Sequence, residues 1–237
     1  MKLFILAAGR GKRLKSLTEN LPKPLIAINN KGTSILEYNL NHAIKSNCFE
    51  EIIIITGYKS HMIEECVRKI NSTRIKCLYN NSYNFYGPIG SLSKINNQIL
   101  TNNCVIINGD TLYESIFFEH IKKHNKTGLY YSRKRTYLED EVKLSLCNKQ
   151  IKQISKNLPL EKVEGVSSGF VILRDLSVRK LFNKYIYQMD STNEIWHEVI
   201  NMLVKHDVQF NALEIEEEYW HEIDTIQDYN RYHLLKG

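Results

Sequence analysis

Two glycines one residue apart, Gly9 and Gly11, follow the apolar run Leu3-Phe4-Ile5-Leu6-Ala7-Ala8, and four cations, Arg10, Lys12, Arg13 and Lys23, crowd the same stretch and its sequel. Small residues leave backbone N–H groups uncovered, and glycine lets the chain turn tightly and approach a ligand closely. Cations around such a turn favour a polyanion, a phosphate chain above all. Two acidic strand ends lie far downstream. Asp110 closes Cys104-Val105-Ile106-Ile107-Asn108-Gly109-Asp110, and Asp224 lies in Glu222-Ile223-Asp224-Thr225. One or two carboxylates suffice for Mg²⁺, which keeps water or borrows phosphate oxygens for its remaining positions. The glycine loop is neither of the two best-known phosphate loops. Leu14 stands where a dinucleotide fingerprint has its third glycine, and no Gly-Lys-Ser/Thr follows.

These residues need elements that bring them together. Leu3 to Ala8 reads as a strand, and Thr33 or Ser34 can cap a helix whose apolar positions Ile35, Leu36, Leu40, Ala43 and Ile44 recur at helical spacing. The four consecutive isoleucines between Glu51 and Thr56 suit a strand covered on both faces. A helix is expected over 60–70, a strand over 74–79, a polar and aromatic loop over 80–92, and a helix from Pro88 to about Leu100. A strand over 104–110, a helix over 114–124 and a strand over 128–133 follow. Strands over 142–146, 151–154 and 163–173 with short connections suggest antiparallel pairing. Helices over 176–187 and 194–205, a strand over 208–215 and a last helix from about Ile226 complete the chain. The expected fold is α/β: a Rossmann-like mixed, mainly parallel sheet flanked by helices, with a small antiparallel β extension. Ligands of such sheets bind beyond the carboxyl ends of the strands, where the glycine loop, Asp110 and the 80–92 loop all fall.

Composition narrows the partners. A chain of 237 residues with 43% hydrophobic and 24% charged content suits one soluble domain with a full core. The net charge of +6 is spread along the chain, with no Lys/Arg run longer than three, which speaks for attraction of small anions over nucleic-acid binding. No apolar run approaches 18 residues, and Arg10, Lys12 and Arg13 interrupt the first one too early for a secretory leader. Five scattered cysteines, without a C-x-x-C pair, are expected as reduced core residues in a cytoplasmic protein.

The two-part pattern Leu6-Ala7-Ala8-Gly9-Arg10-Gly11-Lys12-Arg13-Leu14 and Pro22-Lys23-Pro24-Leu25 resembles the signature of the nucleotidyltransferases that activate phosphorylated sugars and small phospho-alcohols. Lys12 departs from it, standing where that family has a small hydroxyl residue. The resemblance extends from Leu3 to about Tyr229, and Ile89-Gly90-Ser91-Leu92 and Glu222-Ile223-Asp224-Thr225 are most similar to the CTP:phosphocholine cytidylyltransferase branch. It implies a single domain, with residues 1–133 binding nucleotide and residues 134–237 carrying the acceptor-binding part and C-terminal helices. The triphosphate would lie over Leu6, Ala7, Ala8, Gly9, Gly11, Lys12 and Arg13, with the base against Gly87, Gly90 and Ser91. Mg²⁺ would sit on Asp110 and Asp224 with Glu222; Lys23, Arg13 and Asp110 would be catalytic. The acceptor would approach Lys143, Lys156, Glu164 and Gly165.

The implied reaction moves CMP from CTP to a small phosphorylated acceptor (phosphocholine, an aminoalkyl phosphonate or a phosphorylated amino acid such as phosphoglutamine) with release of pyrophosphate, in the service of surface polysaccharide decoration. The attacking oxygen is already anionic at pH 7, so positioning and charge neutralisation carry the catalysis. A trimethylammonium head would want an aromatic box with a nearby carboxylate, and Tyr137, Trp196, Tyr219 and Trp220 with Glu139, Asp140 or Glu164 are candidates. A sugar-1-phosphate nucleotidyltransferase using UTP, GTP or dTTP is the alternative among enzymes, and a nucleotide-sensing domain without turnover the alternative outside them. The expected partners are CTP and the acceptor, with neither nucleic acid nor membrane; a homodimer is left open.

Overall fold

In a computed structural model, residues 1–189 and 195–236 are described. The strands, in chain order, are β1 (Lys2–Ala7), β2 (Glu51–Thr56), β3 (Ile75–Tyr79), β4 (Cys104–Asn108), β5 (Thr111–Tyr113), β6 (Gly128–Ser132), β7 (Lys143–Cys147), β8 (Gln150–Ser155), β9 (Gly165–Leu173), β10 (Asn211–Glu214) and β11 (Trp220–Glu222). Among the described residues, nine of them form one mixed sheet in the order β3-β2-β1-β4-β9-β6-β10-β8-β7. The first four run parallel, β9 turns against β4 and β6, and β10 returns parallel to β6. At the far end β7 and β8 form an antiparallel pair, and β7 also pairs with the start of β9 through Lys143 and Val166. This is the α/β architecture with an antiparallel extension that the alternation of elements implied.

The isoleucine strand shows why the sheet is covered twice. Successive side chains point to opposite faces. Accordingly Ile53 and Ile55 join Phe4 and Ile106 in one buried cluster, and Ile52 and Ile54 join Leu3, Ile5 and Ile107 in the other. Helices Ile35–Ser46 and Ser115–Lys123 cover the second face, and Leu176–Gln188 and Glu198–Lys205 the first. The helix at Ile35 starts where its cap places it. Ser34 Oγ accepts the Glu37 N–H, and Glu37 reaches back to the Ser34 N–H, a complete capping box.

Three expected elements differ. The helix from Pro88 is broken into Pro88–Leu92, a 3₁₀ turn at Ser93–Ile95, and Asn96–Thr101. The final strand is trimmed to Asn211–Glu214, and the helix expected from residue 194 begins at Glu198, its first residue lying outside the described residues. A small antiparallel ribbon, β5 with β11, stands apart from the large sheet and pairs Thr111 with Glu222. It matters most for the site.

Candidate active site

β1 ends at Ala7 and delivers the chain into the glycine loop at the carboxyl edge of the sheet. Gly11 has φ +64°, and a Cβ there would stand 2.9 Å from the Cβ of Lys23. Its missing side chain is what lets the lysine cross the loop. Thr18 Oγ1 donates to the Gly11 carbonyl at 2.8 Å and pins the turn. Lys23, framed by Pro22 and Pro24 in a 3₁₀ turn, is buried and points inward.

The ribbon supplies the carboxylates. Thr111 opposite Glu222 sets Asp110 beside Ile223, whose N–H donates to the Asp110 carbonyl at 3.0 Å. Gly109 has room only for hydrogen, since a Cβ would meet the Leu6 carbonyl oxygen at 2.6 Å. A second capping box, Thr225 with Asp228, starts the last helix and satisfies the backbone there, leaving the Asp224 carboxylate to face the loop.

Lys23 Nζ closes the arrangement, 2.7 Å from Asp110 Oδ2 and 2.6 Å from Asp224 Oδ1. Asp224 Oδ2 is in turn paired with the Arg13 guanidinium, which also reaches Asp140 at 3.4 Å. Burial works to strip the proton from Lys23, but Asp110 and Asp224 outweigh it, so its pKa is raised and it stays an ammonium. Two hard oxygen donors remote in sequence thus aim at one point now held by a cation. That donor set fits Mg²⁺ completed by water or phosphate oxygens.

Above this point opens a cleft of about 390 Å³. Its lining includes Leu6, Ala7, Ala8, Gly9, Gly11, Lys12, Arg13, Lys23, Gly87, Ser91, Asp110, Glu222, Asp224, Lys156 and Trp196, all named from the sequence. It also includes Pro24, Tyr83, Tyr86, Pro88, Asn108, Gly109, Asp140, Val142, Ile195 and His197. Asn108 lies at the end of the strand expected over 104–110 and the two tyrosines in the loop expected over 80–92, and the Asn-Gly-Asp spacing is the signal for the first. For Ile195 and Val142 no signal existed.

Four expected site residues do not reach the cleft lining. The Lys143 ammonium is buried and donates to three carbonyls, those of Glu139, Glu141 and Lys156, so it ties the loops together and has no donor left for a substrate. Glu164 accepts the Leu146 N–H at 2.5 Å. Gly165 is present because the Tyr131 ring leaves no room for a Cβ, and Gly90 because Tyr86 leaves none. Glu222 lines the cleft beside the Asp110–Asp224 pair, and among the described residues no group of three or more His, Cys, Asp or Glu is already gathered as a metal cluster. Its recess in the protein, together with Asp110, Asp224 and Asp228, pushes its pKa up against the pull of Lys23. The side chain is still exposed to the cleft, and water offsets part of that rise. Of the candidates for an aromatic box, Trp196 and Asp140 line the cleft, whereas Tyr137, Tyr219, Trp220 and Glu139 do not.

Residues 2–141, more than half of the chain, match the family described as Nucleotidyl transferase. This chain belongs to the nucleotidyl transferase family. This nucleotidyl transferase is 28% identical over 242 residues to choline-phosphate cytidylyltransferase of Haemophilus influenzae, an alignment covering 100% of this chain and 97% of the relative. It is 31% identical over 130 residues to the choline-phosphate cytidylyltransferase of Streptococcus pneumoniae, but there the match spans 55% of this chain and only 54% of the relative's own length. The fold superposes on the solved structure of CTP:phosphocholine cytidylyltransferase from Streptococcus pneumoniae with a TM-score of 0.80 and 21% identity, covering 100% of this chain and 99% of the other. No helix among the described residues is long and apolar enough to cross a membrane.

Proposed function

We propose that this nucleotidyl transferase is a Mg²⁺-dependent cytidylyltransferase that moves CMP from CTP to a small phosphorylated acceptor. The acceptor classes are phosphocholine, an aminoalkyl phosphonate or a phosphorylated amino acid. The observation that carries the reading is Lys23 held between Asp110 and Asp224 beneath the glycine loop. On this reading the backbone N–H groups from Ala7 to Gly11, with Lys12, receive the triphosphate, Gly87 and Ser91 flank the base, and Lys156 and Trp196 wall the acceptor end. Mg²⁺ on Asp110 and Asp224 would supply charge neutralisation at the α-phosphate. Lys23, released from that pair, stabilises charge on the same phosphate, and Arg13 leaves Asp224 to hold the β- and γ-phosphates. An acceptor phosphate oxygen bonds to the α-phosphorus, the bond to the β-phosphate oxygen breaks, and pyrophosphate departs with the electron pair. No proton has to move.

The charges of the cleft support dependence on a divalent cation. Lys12, Arg13, Lys23 and Lys156 face Asp110, Asp140, Glu222 and Asp224, so the described lining is balanced and a triphosphate arriving alone would be poorly neutralised. Residues 1–133 are assigned to the nucleotide and 134–237 to the acceptor within one domain, because the cleft draws on both. Free, mostly covered cysteines support a reducing cytoplasmic setting.

The test is pyrophosphate release by the purified chain with Mg²⁺, each of CTP, UTP, GTP, ATP and dTTP, and a panel of phosphorylated acceptors. Release is expected with CTP and to vanish on chelation. Release confined to sugar 1-phosphates with another nucleotide would move the chain to the sugar branch, and nucleotide binding without any release would sink the enzymatic reading.

A further inference from the structure

Resting on that reading, the order of the strands gives each side of the cleft its occupant. β3 stands two places from β1 on one side, and β7 and β8 lie at the opposite end of the sheet. The glycine loop leaves β1, the segment 80–92 leaves β3, and the lining residues Val142 and Lys156 adjoin β7 and β8. With the triphosphate over the glycine loop and the acceptor at Lys156 and Trp196, the base falls on the β3 side. The lining there is Tyr83, Tyr86, Gly87, Pro88 and Ser91.

The two tyrosines differ. A Cβ on Gly57 would stand 2.6 Å from Tyr83 Cβ, and the Tyr83 ring meets the Tyr79 ring edge-on with centroids 6.4 Å apart. Tyr83 is thus occupied in packing the segment against its neighbours. Tyr86 is 46% exposed, and among the described residues its ring meets no other ring or cation and its hydroxyl has no hydrogen-bond partner. Its stem is fixed all the same. The Tyr86 N–H donates to the Ser82 carbonyl at 3.1 Å. A Cβ on Gly90 would stand 2.6 Å from Tyr86 Cβ, so the short helix Pro88–Leu92 packs directly against that stem.

An open ring on a fixed stem at a cleft wall suits a flat partner. No acidic residue stands between Asn80 and Leu92 to support a cation against that ring, and a nucleobase needs none.

We propose that Tyr86 is a nucleobase-binding residue whose ring stacks on the base of the bound triphosphate. Stacking accepts any base, so Tyr86 supplies affinity and leaves the choice of base to hydrogen-bonding groups of the cleft.

The experiment measures Kd by calorimetry on the full chain with Mg²⁺, for CTP and for inorganic tripolyphosphate, which has the anionic chain and no base. Tyr86→Ala is expected to weaken CTP by about tenfold or more and to leave tripolyphosphate within about twofold. Tyr86→Phe keeps the ring and should bind CTP as the wild type does. Tyr86→Leu keeps apolar bulk without a π face and should lose most of what alanine loses. Unchanged CTP binding in Tyr86→Ala overturns the inference, as does full retention by Tyr86→Leu. Equal losses for CTP and tripolyphosphate also overturn it, since they point to damage to the loop. A Tyr86→Ala effect confined to the acceptor KM would assign the ring to the second substrate and overturn it too. Wild type that binds tripolyphosphate but not CTP refutes the nucleotidyl-transfer reading itself, whereas CTP binding that ignores Tyr86 refutes this inference alone.

Discussion

Lys23 touches both carboxylates, so a change there reads on chemistry more than on architecture. Lys23→Met should lower kcat by about 10²–10³-fold, the usual cost of deleting one transition-state donor. A circular dichroism spectrum should stay that of the wild type, and the Kd for CTP should move far less than kcat. His197 makes a prediction of the opposite kind, about stability. Its folded pKa of about 3 lies below the 6.5 of a free imidazole, because burial disfavours the charged ring. As pH falls below 6.5 the unfolded chain takes up the proton that the folded chain refuses. Stability present above pH 6.5 is therefore lost toward pH 3, with a slope of up to ~1.4 kcal/mol per pH unit from this group. Urea unfolding of wild type and His197→Phe across that range should diverge by that pH-dependent difference. Parallel curves would show that the imidazole is already solvated in the folded state.

Among elements, the β5–β11 ribbon has the greatest leverage for its size. Asn39, fully buried on the helix Ile35–Ser46, donates to the Thr111 carbonyl at 2.7 Å and accepts the Tyr113 N–H at 3.0 Å, so one side chain serves the side of β5 that β11 leaves unpaired. Asn39→Ala should cost about 2–4 kcal/mol in urea unfolding, because two backbone groups lose their partner inside the protein. Turnover should fall as well, since Asp110 immediately precedes the strand. The ribbon also marks where the sequence stopped being readable. The capped helix at Ser34 and the isoleucine strand announce themselves through local spacing, as does the turn after Ala8. Three-residue strands carry no periodicity, and what joins Thr111 to Glu222 is a long-range pairing that no local pattern encodes. Lys143 fails for a related reason. A lysine on a strand reads the same whether it faces a substrate or three carbonyls, and only the folded loops decide. Lys156 and Trp196 carried equally weak signals, and the structure does bring them to the cleft.

On the scale of the whole molecule, the Arg13–Asp140 pair joins the first loop to the segment between β6 and β7 across the cleft. Both side chains are about half exposed, so the link itself is worth at most about 1 kcal/mol. Asp140→Asn should therefore tighten CTP binding by no more than about fivefold in calorimetry at low salt, and by less as salt screens the pair. The pairing of β7 with β9 has a consequence for association. Among the described strands the run β9-β6-β10-β8-β7 returns to β9, so that end of the sheet closes on itself like a small barrel. Among the described strands of the large sheet, this leaves the outer side of β3 as the seam where another chain could add a strand. Lys76 stands exposed on that strand, paired to Glu51, and a charge there discourages sheet-to-sheet growth.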